Sequence, residues 1–453
     1  MKTLLENLQE TNTWWATCET EKKFEYEREE LAEIINLLND KRSTIVAGPR
    51  QVGKSTMLSQ TISYLLANKT KPSNILMFFC DDSNIFNGDT KIADVLSEYE
   101  RSVLFANLST VKERIYIFID EAQAIKDWHT VVKTYIARNE NIKFIISGSS
   151  AALLFEGANE SLYGRHDLLH VYPLRFWQFA KLHSANKNKI VEEVEKKLPK
   201  TSLFASPNEY FDELQKVYSL INLHYPQING LLKMYLTVGG YPEFCFYPTD
   251  IDKWQKRLLN DVISSGLYRD IIKVFKIESP KKLEQIFYYI AANSGQPFSY
   301  TSIGNTVGLN VETATNYITY LEKAKLIVVQ PVHSNNVAKT LRANKKMHIL
   351  DNGIRNAIMK EKNLDDARCG FAVETALTVY AYAEAEKNLW NVGYQDVDEV
   401  DVVLDKKKDV LQIEVKYRNE AKITNKSQPN IVITKTLFKK DGDVFYIPFW
   451  LVR

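Results

Sequence analysis

Apolar residues in the first part of the chain fall into short, dense runs separated by helix-length connections. The runs are Thr44–Ala47, Ile75–Phe79, Ile115–Ile119, Phe144–Ile146 and His170–Tyr172, mostly rich in Ile, Val and Phe. Runs of this length without alternation predict strands buried on both faces, as in a parallel sheet covered by helices. From about Lys181 to Lys281 the strand signals vanish. Helical periodicity there is interrupted by Pro199, Pro207, Pro226, Gly239, Gly240 and Pro242, so a helical lid or connector is expected. The stretch Leu283–Val332 reads as three helices and a hairpin, and mixed strands and helices return after it. A basic stretch, Lys339, Arg342, Lys345 and Lys346, marks the join. The expected boundaries are 1–180, 181–280, 281–335 and 336–453.

Composition narrows the class. A chain of 453 residues spans two to four domains at about 150 residues each. The 58 basic and 56 acidic residues nearly cancel, so a nucleic-acid partner must show itself in local patches rather than in net charge. Four cysteines (Cys18, Cys80, Cys245, Cys369) lie far apart with no C-x-x-C pair, which argues against a disulfide scaffold or a zinc ribbon and fits a reducing compartment. The opening MKTLLENLQETNTWW lacks the apolar core of a signal peptide, and no apolar stretch reaches membrane-spanning length. The expectation is a soluble cytoplasmic protein with no membrane partner.

Glycine is scarce, with 17 in the chain, so a glycine-bracketed loop stands out. Gly48-Pro49-Arg50-Gln51-Val52-Gly53-Lys54-Ser55 fits G-x-x-x-x-G-K-[ST] at every fixed position, and Thr56 follows. Such a loop turns successive backbone N–H groups toward phosphate oxygens, and the helix that follows adds its positive end. Lys54 is expected to reach the β- and γ-phosphates and Ser55 to ligate Mg²⁺. Ile115-Tyr-Ile-Phe-Ile-Asp120-Glu121 is a buried strand ending in two carboxylates, at the end where open α/β sheets bind ligands. Asp120 is expected to serve the Mg²⁺, and Glu121 to polarise the attacking water. The adjacent acids point to a hydrolytic ATPase rather than a small GTPase. In Phe144-Ile-Ile-Ser147-Gly-Ser149-Ser150 a polar strand tip could sense the γ-phosphate. Ser147 is preferred, while Ser149 and Ser150 read equally well as helix caps. Arg165 is a candidate cationic finger or a solvated loop residue; acting between subunits, it would require a homo-oligomer.

GPRQVGKST, FIDEAQ, ISGSS and GR…YPLRFWQF together resemble a prokaryotic AAA-like ATPase family. Tyr235-Leu-Thr-Val-Gly-Gly-Tyr-Pro-Glu243, Tyr268-Arg-Asp-Ile and Lys346-Met-His-Ile-Leu-Asp351-Asn-Gly extend the likeness from about Arg28 through most of the chain. The resemblance implies ATP with Mg²⁺ as ligands and a C-terminal domain similar to restriction-endonuclease-like nucleases. The expected fold is thus α/β: a P-loop ATPase parallel sheet, a helical connector, a winged helix and a PD-(D/E)xK nuclease-like domain.

Two later segments carry candidate chemistry. Ser299–Lys323 reads as helix-turn-helix, with Asn310 as N-cap and Ala314, Tyr317, Ile318 and Leu321 as the buried face. Its outer face has Glu312, Thr313, Thr315, Asn316 and Thr319 but no cation, so DNA binding and mere packing both stay open. Near the end, Glu399-Val-Asp401 and Gln412-Ile-Glu414-Val-Lys416 read as a hairpin, in which a four-residue loop, Lys406–Asp409, sets Asp401 opposite Glu414. With Glu374 on a nearby helix, Asp401 and Glu414 could hold Mg²⁺ or Mn²⁺, and Glu414 with Lys416 could cut a phosphodiester. A retained fold whose carboxylates pair with cations is the alternative. The function reading is an ATP hydrolase coupled to DNA processing, or an ATP-driven switch with a silent C-terminal domain.

Overall fold

The computed structural model describes residues 2–20, 24, 26–86, 90–126, 128–149, 154, 166–184, 188–247, 249–275, 277–396, 400–419 and 429–453, with residues 262, 263, 269, 270, 273 and 274 described by backbone alone. The chain divides into two compact units, Met1–Tyr172 and Pro173–Arg453.

The first unit is built on five parallel strands: β1 (Ser43–Ala47), β2 (Ile75–Phe79), β3 (Ile115–Asp120), β4 (Ile142–Gly148) and β5 (His166–His170). Their order is β2-β3-β4-β1-β5. The helices Lys54–Ala67, Ile92–Tyr99 and Trp128–Arg138 make the connections. Every residue of β1, β3 and β4 is buried, which is why these strands read as unbroken apolar runs. Ile45, Phe78, Ile117, Ile119, Phe144 and Ile146 form the centre of the core and are fully buried.

The last strand lies earlier than expected, at His166–His170 instead of His170–Tyr172. It is an edge strand in which Leu169 alone is buried, with Leu168 exposed and three polar residues around them, so its sequence resembles a loop. Val171 has already left it, tied by its N–H to the Ala47 carbonyl at 2.7 Å. The opposite edge, β2, is covered by the chain's own N-terminus. Asn12 donates through Nδ2 to the Met77 carbonyl at 2.8 Å and accepts from Met77 N–H at 2.7 Å. The Trp14 and Trp15 indole N–H groups both reach the Ile75 carbonyl. These side chains complete a ladder that a sixth strand would otherwise complete.

The second unit begins with helices, among them Phe176–His183, Pro207–Ile221 and Tyr225–Val238. There follow the helix Pro280–Ala292, β6 (Pro297–Phe298), the helices Tyr300–Val307 and Val311–Lys323, β7 (Ile327–Gln330) and β8 (Lys345–Ile349). The three strands form an antiparallel sheet in the order β6-β8-β7. Asn310 caps the second of those helices, accepting from Thr313 N–H at 2.7 Å, and Ala314, Tyr317, Ile318 and Leu321 are buried as expected. The third strand, β8, lies beyond residue 335, where the sequence put a boundary; the short helix Val337–Arg342 fills the long connection before it.

The helix Asp366–Asn388 then packs on a six-stranded sheet. Its strands are β9 (Asn391–Gln395), β10 (Val400–Asp405), β11 (Val410–Lys416), β12 (Ile431–Thr434), β13 (Lys439–Asp441) and β14 (Val444–Pro448), in the order β13-β14-β12-β11-β10-β9. The sheet is mixed: β11, β12 and β14 run parallel and the remaining pairs antiparallel. Among the described residues, no helix is long and apolar enough to cross a membrane.

The motif pair Gly239-Gly240 and Asp351-Asn-Gly353 is an internal clasp. One oxygen of the Asp351 carboxylate accepts from Gly240 N–H at 2.7 Å, and the other from Gly353 and Ile354 N–H. Burial pushes the Asp351 carboxyl up to about 6, against the pull of those three donors. A Cβ on Gly239, where φ is +83°, would lie 2.0 Å from that carboxylate. These motifs hold two helices together.

Candidate nucleotide site and the C-terminal carboxylate cluster

In the first unit the phosphate loop leaves the end of β1 and enters the helix Lys54–Ala67. Two residues turn it through the left-handed region, Gln51 at φ 62° and Gly53 at φ 100°. A Cβ on Gly48 would lie 2.2 Å from the Val171 carbonyl oxygen, so only glycine fits there. Lys54 is buried and donates to the Gly48 and Pro49 carbonyls at 2.9 and 2.8 Å, lying back along its own loop. Ser55 is exposed in the first helical turn.

The strand order places β4 between β1 and β3, and the register does the rest. Val46 faces Ser147, and Ile119 faces Ile146, which sets Asp120 beside Ser147. Asp120 is buried. Its Oδ1 accepts from the Ser147 hydroxyl and from Glu121 N–H, and Ser147 Oγ also accepts from that N–H at 3.2 Å. Ser147, expected as a γ-phosphate sensor, is thus engaged with the acid pair. The Ser149 hydroxyl is buried and has no hydrogen-bond partner among the described residues. Glu121 adopts φ 52°, a conformation that costs a non-glycine residue about 1 kcal/mol. Its Oε2 accepts from Gln123 Nε2 at 2.5 Å and lies 3.7 Å from the Arg50 guanidinium. Arg165 and Ser150 lie outside the described residues.

Two residues at this site escaped the sequence reading. Arg28 is buried and donates to the Val52 carbonyl at 2.6 Å and the Tyr172 carbonyl at 2.8 Å, while Glu30 pairs with its guanidinium. It braces the crown of the phosphate loop from behind. Gln123 holds Glu121. A lone Arg ahead of a helix has no distinguishing pattern. Gln123 had a weak signal, its place two residues after the acid pair.

The oxygen donors at this site, the Ser55 hydroxyl and the Asp120 carboxylate, are of the kind Mg²⁺ prefers.

In the second unit the hairpin has the expected loop, because Asp405 faces Val410. Val402 and Ile413 are the last facing pair of this register, and Asp401 and Glu414 each lie one residue beyond it. Glu414 is fully buried and pairs with Lys416 at 2.7 Å. Asp401 Oδ2 accepts from Val415 N–H at 2.9 Å. Glu374 faces the same cluster. Burial and the neighbouring Asp401 charge raise its pKa, and Lys346 and Lys416 pull against that rise. The unforeseen member is Lys346, whose Nζ lies 2.9 Å from Glu374 Oε1 and 3.1 Å from Asp401 Oδ1. Among the described residues, no three His, Cys, Asp or Glu side chains are grouped to hold a metal. The predicted C-terminal ligands therefore do not fit a divalent ion as they are arranged.

The basic stretch is also divided in its duties. Lys345 Nζ caps carbonyls of Thr340, Leu341 and Ala343, and Lys346 is committed to the carboxylates. Lys339 and Arg342 are exposed.

Residues 40–180 match a family model described as an AAA domain, and residues 229–365 match one described only as a domain of unknown function (DUF8612). An uncharacterized protein of Methanocaldococcus jannaschii is 27% identical over 448 residues, which cover 94% of this chain and 88% of the relative. An uncharacterized protein of Haemophilus influenzae is 23% identical over 443 residues, covering 93% of this chain and 97% of that one. Among solved structures, Hsp104 of S. cerevisiae in complex with casein is 14% identical and aligns 65% of this chain with 49% of that chain at a TM-score of 0.29. That likeness is too shallow to carry any argument. The chain has an N-terminal AAA-type P-loop ATPase domain, followed by a region to which no function is attached.

Proposed function

We propose that the chain is a magnesium-dependent ATP hydrolase whose nucleotide state acts on a C-terminal domain that engages DNA or protein. One observation carries the first half: the acid pair Asp120–Glu121 ends β3 one strand away from the phosphate loop, with Ser147 of β4 bonded between. The loop from Gly48 to Thr56 receives the triphosphate, and Lys54 exchanges the Gly48 and Pro49 carbonyls for phosphate oxygens. When bound, Mg²⁺ neutralises phosphate charge, with Ser55 and Asp120 as the residues to hold it. Glu121 polarises the attacking water, Ser147 keeps the acid pair aligned, and Arg165 remains the candidate finger. Lys54→Ala is expected to abolish ATP turnover together with nucleotide binding. Glu121→Gln is expected to keep binding and lose turnover by about 100-fold or more. Phosphate release and nucleotide titration measure both; full turnover by either variant refutes the assignment.

For the C-terminal region, the helix–strand–helix–helix–strand–helix–strand order of Pro280–Ile349, with its three-stranded antiparallel sheet, supports a winged helix, and the Glu374, Asp401 and Glu414-x-Lys416 arrangement supports an endonuclease-like fold. The position of Lys346 favours the reading in which this domain does not cut nucleic acid at rest. An assay for DNA cleavage with Mg²⁺ or Mn²⁺, with and without ATP, separates the two readings. A gel shift across a salt series then tests DNA binding through Lys339 and Arg342.

A further inference from the structure

Lys346 reaches the carboxylates from β8, the strand shared with β6 and β7, where it faces Pro297 and Gln330. Its side chain is 13% exposed, and those of Glu374 and Asp401 are 15% and 17% exposed. Burial works against the ammonium charge, and the two carboxylates more than restore it, so its pKa is held above the ordinary lysine value. Two residues along the same face of β8, His348 is fully buried. Its Nδ1 lies 3.2 Å from the hydroxyl of Thr375, the neighbour of Glu374, and its Nε2 has no hydrogen-bond partner among the described residues. A Cβ placed on Gly295 would be 3.4 Å from His348 Cε1 and 3.6 Å from Glu374 Oε1, so the imidazole edge and the carboxylate border one small space.

We infer that Lys346 is the built-in cation of this cluster: its ammonium takes the place between Glu374 and Asp401 that a divalent ion would occupy, and removing it converts the cluster into a divalent-cation site. The inference rests on the endonuclease-like reading of the domain. Charge supports it. With every carboxyl ionised, three carboxylates (Glu374, Asp401, Glu414) against two ammonium groups (Lys346, Lys416) leave at most a single negative charge, too little to attract a doubly charged ion past two lysines. Without Lys346 the cluster carries two negative charges, and the Glu374 and Asp401 oxygens it now engages become donors for a hard cation.

The test is Mn²⁺ binding by the full chain without nucleotide, in an Asp120→Asn background so that the phosphate loop contributes no metal. The parent should show no Mn²⁺ binding that a further Asp401→Asn change removes. Lys346→Met and Lys346→Gln should each gain one Mn²⁺ at least about tenfold more tightly than the parent, and Asp401→Asn should abolish the gain. Lys346→Arg, which retains a cation, should behave as the parent. Circular dichroism establishes that each variant is folded. The inference is overturned if folded Lys346→Met and Lys346→Gln bind no better than the parent, or if the parent already binds Mn²⁺ through Asp401. A Lys346→Met chain that binds Mn²⁺ and cuts no DNA supports the inference while removing the nuclease reading.

Discussion

His348 shows how much one side chain decides. Burial, together with the Lys346 charge beside it, lowers its pKa from 6.5 to about 3, so it stays neutral in the folded chain. The unfolded chain binds a proton there below pH 6.5, hence the folded state loses stability as pH falls from 6.5 toward 3. The loss from this group is roughly 2 kcal/mol between pH 8 and pH 5. Glu374, whose pKa is raised, works with the opposite sign, so the bare acid profile mixes the two. The difference between the wild type and His348→Gln isolates the imidazole: denaturant melts should show the wild type losing about 2 kcal/mol more over this interval. Equal losses would mean that the imidazole is protonated in the fold. The phosphate-loop residues were legible because glycine, lysine and serine at fixed spacing have few other uses. Lys346 was legible only as one member of the basic stretch that marks the join, whereas β8 turns it onto the carboxylates.

At the scale of elements, the buried parallel strands and the terminal hairpin were readable, the first from unbroken apolar runs and the second from alternation around a polar loop. The hairpin register, Asp405 facing Val410 and Val402 facing Ile413, followed from loop length alone. Edge elements were harder. The partly exposed β5 has little apolar signal, and β8 is separated from β7 by a connection long enough to hide their pairing. The N-terminal segment gave no strand pattern because it pairs with β2 through side chains. Asn12 is 1% exposed and satisfies both the N–H and the carbonyl of Met77. Asn12→Ala leaves both without a partner and should destabilise the first unit by about 1–3 kcal/mol. Chemical denaturation of the full chain, with nucleotide binding as a readout of that unit, measures it. An unchanged midpoint would show that the N-terminal segment is merely adjacent to β2.

For the whole molecule, the family matches and the compact units have different limits. The AAA match begins at residue 40, yet the first unit begins at the N-terminus. A shortened chain starting at residue 40 keeps the phosphate loop and all five strands but sheds Asn12, Trp14 and Trp15. Ile75-Leu-Met-Phe-Phe79 would then offer an uncovered row of backbone donors and acceptors on a wholly apolar segment, a template for other copies. Such a fragment is expected to collect in inclusion bodies and to scatter light on refolding, while the full chain stays clear. The first fifteen residues would then act as an intramolecular guard against fibre growth, and trimming a recombinant version to its recognised domain would remove what keeps that domain dispersed.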